Sequence, residues 1–223
     1  MSGGLDSLRT AYGELLAHTD ALGEEGEEAA WRATGCAGWT VRDLVFHLLT
    51  DAQRALVALG TPADGAADVD AVSYWRAWQP ETPGAQSSRR SIRIVASVWV
   101  NASALTALYG ETARAVLVHA ARADGAALVA TQGRVLTVDD LLSTLAVEAA
   151  VHHLDLVAFS DGPSPGAQSL TLVRETLDGL LGRPAPLEWD DARYALIGTG
   201  RASLTDAERA ALGADAAKLP LFG

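Results

Sequence analysis

Apolar residues recur along this chain at intervals of three and four, the pattern of helices that turn one face to a core. In "LDSLRTAYGELLAHTDAL" (5–22), Leu5, Leu8, Tyr12, Leu15, Leu16 and Leu22 form such a stripe and predict a first helix. "TVRDLVFHLLTDAQRALVALG" (40–60) predicts a second: Thr40 can accept from the first free backbone N–H groups, Asp43 completes a capping-box pair, and Gly60 is a stop. A third is predicted from about Arg89 to about Arg122, with Val95, Val98, Trp99, Ala102, Leu105, Leu108 and Tyr109 at helical spacing. The β-branched "SIRIVASVWV" makes a strand its competitor. "VDDLLSTLAVEAAVHHLDLVAFS" gives a fourth, opened by Thr137 with Asp140. Four such helices predict a bundle.

Breaks in the pattern set the organisation. Residues 23–40 read as a loop and 61–70 as a linker. "AVSYWRAWQP" closes at Pro80, a second break covers 81–88, and 123–137 is a connection with one short extended piece. "DGPSPGAQ" (161–168) has the composition of an interdomain linker. Beyond it, "SLTLVRETLDGLLG" and "LTDAERAALG" read as helices, and the alternation in "ARYALIG" reads as a strand. The expected organisation is a mainly α fold, a helical bundle over 1–160 followed by a small α+β domain over 161–223.

Composition narrows the partners. With 223 residues, a net charge of −11 and Lys218 as its lone lysine, the chain lacks the clustered cations of a nucleic-acid surface. The single cysteine, Cys36, excludes an intrachain disulfide and suits a reducing compartment, and no stretch reaches the roughly 18 apolar residues of a membrane span. A cytoplasmic protein is expected, a monomer or homodimer with no nucleic-acid or membrane partner.

One feature breaks the apolar logic of the fourth helix. Leu141, Leu145, Glu148, His152, Leu156 and Phe159 climb one face, so Glu148 and His152 sit one turn apart inside an apolar ladder. A buried carboxylate needs a partner, and an imidazole one turn away can share a cation with it. Open metal sites usually take three protein ligands, and this donor mix suits zinc or a neighbouring first-row divalent ion. Candidates for the third are His18, His47, His119 and His153. His47 lies on the capped second helix beside Leu44 and Leu48, His153 points to another face, and the other two lie in surface-like contexts. An i,i+4 Glu–His pair also occurs as an ordinary helical contact. Cys36 has no evident cation or helix start beside it and reads as incidental, and Trp39 reads as a core anchor.

The segments "GWTVRDLVFHLL" (38–49) and "VEAAVHHLDL" (147–156) resemble the two motifs of the mycothiol-dependent maleylpyruvate isomerase family within the DinB-like superfamily. The matching positions are Gly38, Trp39, Thr40, Asp43, His47, Leu48, Glu148, His152 and Asp155. The resemblance implies a DinB-like four-helix bundle holding a divalent metal, usually zinc, on His47, Glu148 and His152. It also implies that Arg201, in a "TGR" tail similar to the family's small C-terminal domain, faces the cleft as a substrate-binding and catalytic residue. Asp155, one turn beyond His152, either orients a metal ligand from behind or simply caps local polar groups. The activity implied is reversible addition of a mycothiol thiolate to an activated double bond, as in a cis–trans isomerase, or a related thiol S-transfer. Its partners are a small-molecule substrate and the thiol. A metal-bundle protein that binds a ligand without turnover is the alternative, since fold alone does not decide function.

Overall fold

The computed structural model describes residues 3–78, 82–160 and 162–223. Its helices are α1 (Gly4–Glu25), the short α2 (Glu27–Ala30), α3 (Val41–Leu59), α4 (Pro83–Ala96), α5 (Ala102–Ala120), α6 (Val138–Val157), α7 (Ala167–Leu181), α8 (Asp191–Gly198) and α9 (Asp206–Leu212). A two-stranded antiparallel hairpin, β1 (Leu128–Thr131) and β2 (Arg134–Thr137), lies between α5 and α6. The fold is mainly α, as expected.

α1, α3, α5 and α6 form the bundle. α1 lies along α5 and α6, and α3 lies along α5 and, less extensively, α6. Leu8, Leu15, Leu44, Leu49, Leu105, Tyr109, Leu142 and Leu156 fill the space between them and are almost inaccessible to solvent. The helix starts expected from sequence are present. Thr40 and Asp43 form a reciprocal capping box on α3, and Thr137 accepts from the Asp140 N–H on α6 at 3.0 Å. Each cap fixes where a helix starts, and therefore which residues face inwards two or three turns later.

The third helix of the sequence pattern is two helices. α4 ends at Ala96 and α5 begins at Ala102, where the Asn101 side chain accepts from the Ala104 N–H at 2.9 Å and Glu27 accepts from the Ala102 N–H at 2.7 Å. Val98 and Val100, β-branched and exposed, lie in the break. α4 also starts earlier than the expected break allowed, at Pro83, behind a Thr82 cap. Pro80 and the residues beside it (79–81), with Asp161 of the second linker, lie outside the described residues.

The hairpin turns on Gln132 and Gly133, at φ 50° and 75°. Two successive left-handed residues suit the right-handed twist of a tight hairpin, and Gln132 accepts the strain of that conformation. Backbone bonds from Ala63 to Leu128, from Ala130 to Thr61 and from Asp68 to Val135 strap the hairpin to the chain leaving α3.

The segment "ARYALIG", expected as a strand, is α8. Asp190 caps it by accepting from the Arg193 N–H at 2.6 Å, and Tyr194, Ile197 and Gly198 face inwards at helical spacing. α7 packs on α6, α1 and α8, and Leu170, Val173, Leu177, Tyr194 and Phe222 are continuous with the bundle core. α8 approaches α7 so closely that a Cβ at Gly198 would lie 2.7 Å from the buried Leu177. From this helix the chain passes the left-handed Gly200 to Arg201, which is thereby delivered against α6. Among the described residues no helix is long and apolar enough to cross a membrane.

Candidate metal centre

α3 and α6 meet along the least extensive of the four bundle contacts, and the polar cluster occupies that seam. His47 Nε2 lies 3.0 Å from His152 Nε2 and 3.3 Å from Glu148 Oε1, and the last two atoms are 3.5 Å apart. The three residues singled out from the sequence therefore converge through one atom each. The other histidines stay outside. His18, expected near the surface, is buried against His153 with ring centroids 5.3 Å apart.

Each imidazole is oriented from elsewhere. The His152 Nδ1–H donates to Asp155 Oδ2 at 2.9 Å, which leaves its Nε2 lone pair directed at the cluster. Asp155 is fully buried and receives Arg201 in a two-pronged pair, Nε to Oδ1 at 2.9 Å and Nη2 to Oδ2 at 2.9 Å. Arg201 Nη1 donates to the Thr199 carbonyl at 3.0 Å. Arg201, expected to direct its charge at a substrate carboxylate, here directs it at Asp155. Asp155 contacts the His152 nitrogen that faces away from the cluster, which suits the first of the two roles open to it from the sequence.

Cys36 is not incidental to this network. Its thiol donates to Asp155 Oδ2 at 3.0 Å and lies 3.8 Å from His152 Nδ1. Cys36, His152 and Asp155 thus form a second group of converging donor atoms, but in it Asp155 and His152 Nδ1 are already satisfied by one another and by Arg201. Gly35 lets the loop close on α6, its N–H donating to the Asp155 carbonyl at 2.8 Å. Trp39, as expected, is a core residue, and its ring lies 5.2 Å from that of His47.

A residue the sequence reading missed is Asp51. It follows His47 by one turn of α3, and its Oδ2 lies 3.1 Å from His47 Nε2, the same nitrogen that faces Glu148. That oxygen is buried and makes no geometrically sound hydrogen bond. The signal was present: "HLLTD" repeats on α3 the one-turn spacing that drew attention to "EAAVH" on α6.

The electrostatics follow from burial and contact. Burial would raise the Glu148 carboxyl, but hydrogen bonds to His152 and His47 outweigh it and hold the group well below the usual carboxylate range. Asp51 is pushed up to about 7, chiefly by burial and further by Glu148, against the opposing pull of His47. His152 is raised well above an ordinary imidazole despite burial, because Asp155, Cys36 and Glu148 surround it.

These observations fit a divalent cation. Two imidazole nitrogens and the Glu148 carboxylate oxygen converge from two helices, a carboxylate oxygen beside His47 is orphaned, and His152 turns its Nε2 towards them. Beside the cluster a cleft is lined by Asp51, Glu148, Arg54, Tyr74, Gln132 and Leu145, among others. Gln132 Nε2 donates to the Tyr74 hydroxyl at 2.9 Å, joining the hairpin to the short 3-10 helix Ser73–Ala77 across it.

Comparison with known proteins gives a family. The family model described as the mycothiol maleylpyruvate isomerase N-terminal domain matches residues 9–157, about two thirds of the chain. That span contains His47, Glu148, His152 and Asp155 and ends before Arg201. No curated protein and no solved structure matches the chain.

Proposed function

Because the chain belongs to the mycothiol maleylpyruvate isomerase N-terminal domain family, we propose that it is a metal-dependent enzyme using a low-molecular-weight thiol, mycothiol, as nucleophile or co-substrate. The reaction is a maleylpyruvate-type cis–trans isomerisation or a thiol S-transfer. The observation that carries this reading is the convergence of His47 Nε2, Glu148 Oε1 and His152 Nε2 within 3.5 Å of one another beside a cleft.

A divalent ion held by these residues, zinc foremost, would supply a fixed positive charge that favours the thiolate near neutral pH, a role no cysteine of the protein then needs to fill. The chain's own residues do the rest. Asp155 holds His152 in the tautomer that presents Nε2, Arg201 balances the Asp155 charge, and Leu141 and Leu145 give the cleft an apolar wall beside Glu148. Arg54 is a cation on that cleft and suits a substrate carboxylate.

The test is elemental analysis of the purified protein beside a His47→Ala, Glu148→Ala, His152→Ala variant, followed by absorbance assays with maleylpyruvate and related electrophiles, with and without added thiol. About one divalent ion per chain, lost in the variant, together with thiol-dependent turnover, is expected. A wild-type protein that contains no metal and takes up no added Zn²⁺ would refute the reading. The second reading, a metal-bundle protein that binds without turnover, is favoured by one observation. Arg201, the arginine expected to face substrate, is engaged by Asp155. Stoichiometric metal and tight thiol or ligand binding without product formation would establish it.

A further inference from the structure

The two central residues of the hairpin turn, Gln132 and Gly133, have φ of 50° and 75°. A turn of this kind favours Asn or Gly at both positions, because most other side chains are strained at positive φ. Gly133 follows that preference and Gln132 departs from it. The longer side chain has a use that Asn could not serve: its Nε2 reaches the Tyr74 hydroxyl at 2.9 Å, and both residues line the cleft that Glu148, Arg54 and Leu145 also border. A strained residue whose side chain reaches across a cleft points to work done there.

That work concerns the Tyr74 hydroxyl. Tyr74 lies on the 3-10 helix Ser73–Ala77 and is 9% exposed, its ring set edge-on to Trp75 at a centroid distance of 5.4 Å. An amide N–H can only donate, so the bond from Gln132 occupies a lone pair of the hydroxyl and leaves its proton to be given elsewhere. Among the described residues that proton meets no acceptor. Burial raises the hydroxyl pKa, and Glu148 and Asp51 add to the rise, so the group remains a donor at physiological pH. Arg54 is near enough for its charge to act on the same hydroxyl. Although Arg54 follows Asp51 by three residues on α3, it forms no ion pair with Asp51 or Glu148 among the described residues.

We propose that the Tyr74 hydroxyl, aimed by Gln132, donates to an anionic oxygen of the substrate, and that with Arg54 it forms a carboxylate subsite in the cleft beside the metal centre. The inference rests on the metal-dependent reading above and adds to it a class of substrate, an electrophile that carries a carboxylate. Without a cation, Glu148 and Asp51 give the cleft an excess of negative charge. With a divalent ion in place that excess is cancelled, Arg54 is left uncompensated, and an anion is accepted. Tyr74 and Arg54 touch the ligand, whereas Gln132 is a positioning residue that acts through Tyr74.

The experiment uses the full-length, Zn²⁺-loaded wild type beside Tyr74→Phe, Arg54→Gln, Gln132→Asn and the Tyr74→Phe, Gln132→Asn double variant. Zn²⁺ content is measured first, and maleate, a small dicarboxylate, is then titrated calorimetrically. Tyr74→Phe keeps the ring and Gln132→Asn places a favoured residue in the turn, so both are expected to unfold at the wild-type urea concentration. The expected result is unchanged Zn²⁺ content, with maleate bound about tenfold more weakly by Tyr74→Phe and by Arg54→Gln, and roughly three- to tenfold more weakly by Gln132→Asn. The double variant should bind no more weakly than Tyr74→Phe alone, because Gln132 acts through the hydroxyl already removed. Wild-type maleate affinity in Tyr74→Phe, additive losses in the double variant, or a Zn²⁺-loaded wild type that does not bind maleate would each overturn the subsite and leave the metal centre standing. A wild type that takes up no Zn²⁺ would overturn both readings.

Discussion

Replacing Arg201 by alanine separates two roles that its position in the sequence alone leaves together. Asp155 is fully buried, and Arg201, 13% exposed, is the only guanidinium bonded to it among the described residues. Burial and Asp155 pull the Arg201 pKa in opposite directions and the ion pair prevails, while the same pair holds Asp155 well below the usual carboxylate range. Removing one partner of a buried ion pair leaves an uncompensated charge, with a penalty of about 3–5 kcal/mol. His152 and Cys36 still donate to Asp155, so the lower half of that range is expected. For a chain of this size about 1 kcal/mol shifts the midpoint by roughly 2–4 °C, so thermal unfolding of metal-free Arg201→Ala should fall by about 6–16 °C. The Arg201→Ala, Asp155→Asn double variant should recover much of that loss, because the amide needs no counter-charge. An Arg201→Ala protein that unfolds within about 2 °C of wild type but loses thiol-dependent turnover would refute the reasoning and return Arg201 to direct contact with substrate.

Three further outcomes test the frame around the site. Gly35→Ala would place a Cβ 2.5 Å from Asp155 Oδ1 and 3.0 Å from its Cα, so it should destabilise by about 1–3 kcal/mol in urea unfolding and weaken Zn²⁺ binding by displacing Asp155. Thr40→Ala removes the cap of α3 and should lose about 0.5–2 kcal/mol, with Zn²⁺ affinity unchanged within about threefold because His47 lies well inside the helix. Burial holds His153 at about 4 and also lowers His18, with Glu14 and Glu25 pulling the other way and Arg32 adding to the depression. Between the ordinary imidazole value of 6.5 and the folded value, the unfolded chain binds protons that the folded chain does not. The contribution of His153 is therefore full above about pH 6.5 and is lost on acidification, by roughly 2 kcal/mol between pH 7 and pH 5, while the raised Asp51 and His152 act in the opposite direction. His153→Phe should flatten that slope, and an unchanged slope would exclude the buried pair as its source.

Local signals made the bundle and three site residues legible, and the rest depended on contacts distant in sequence. Glu148 and His152 interrupt an apolar face at helical spacing, and the Thr40–Asp43 box fixes the phase of the helix that carries His47. Asp51 obeys the same spacing but was not singled out, because a carboxylate at a helix face is ordinary until a second helix covers it. The pairing of Asp155 with Arg201 spans 46 residues and depends on α8 bringing the TGR turn back to α6, which no periodicity encodes. α8 itself was obscured because "ARYALIG" alternates, whereas the decisive signal was the cap in "WDDAR" just before it. The break between α4 and α5 turned on Asn101 capping a helix where the apolar spacing continued through. His18 was indistinguishable from a surface histidine until His153 was seen to pack on it.

The wiring of Asp155 gives the C-terminal segment a role in the site that its distance from the cleft would not suggest. One carboxylate accepts from His152 on the bundle, from Cys36 on the loop that precedes α3, and from Arg201 beyond α8. The Gly35 N–H holds the same loop to the Asp155 carbonyl, and Phe222, near the end of the chain, stacks on Trp75, which follows the cleft residue Tyr74 in the 3-10 helix Ser73–Ala77. The orientation of His152 therefore depends on three segments packing correctly, two of which the apolar stripes of the bundle do not control. A bundle could fold around its leucines and still present a poorly aimed imidazole. It follows that changes near α8, far from any ligand, should act on metal affinity more than on helix content, while changes in the leucine core should act on both.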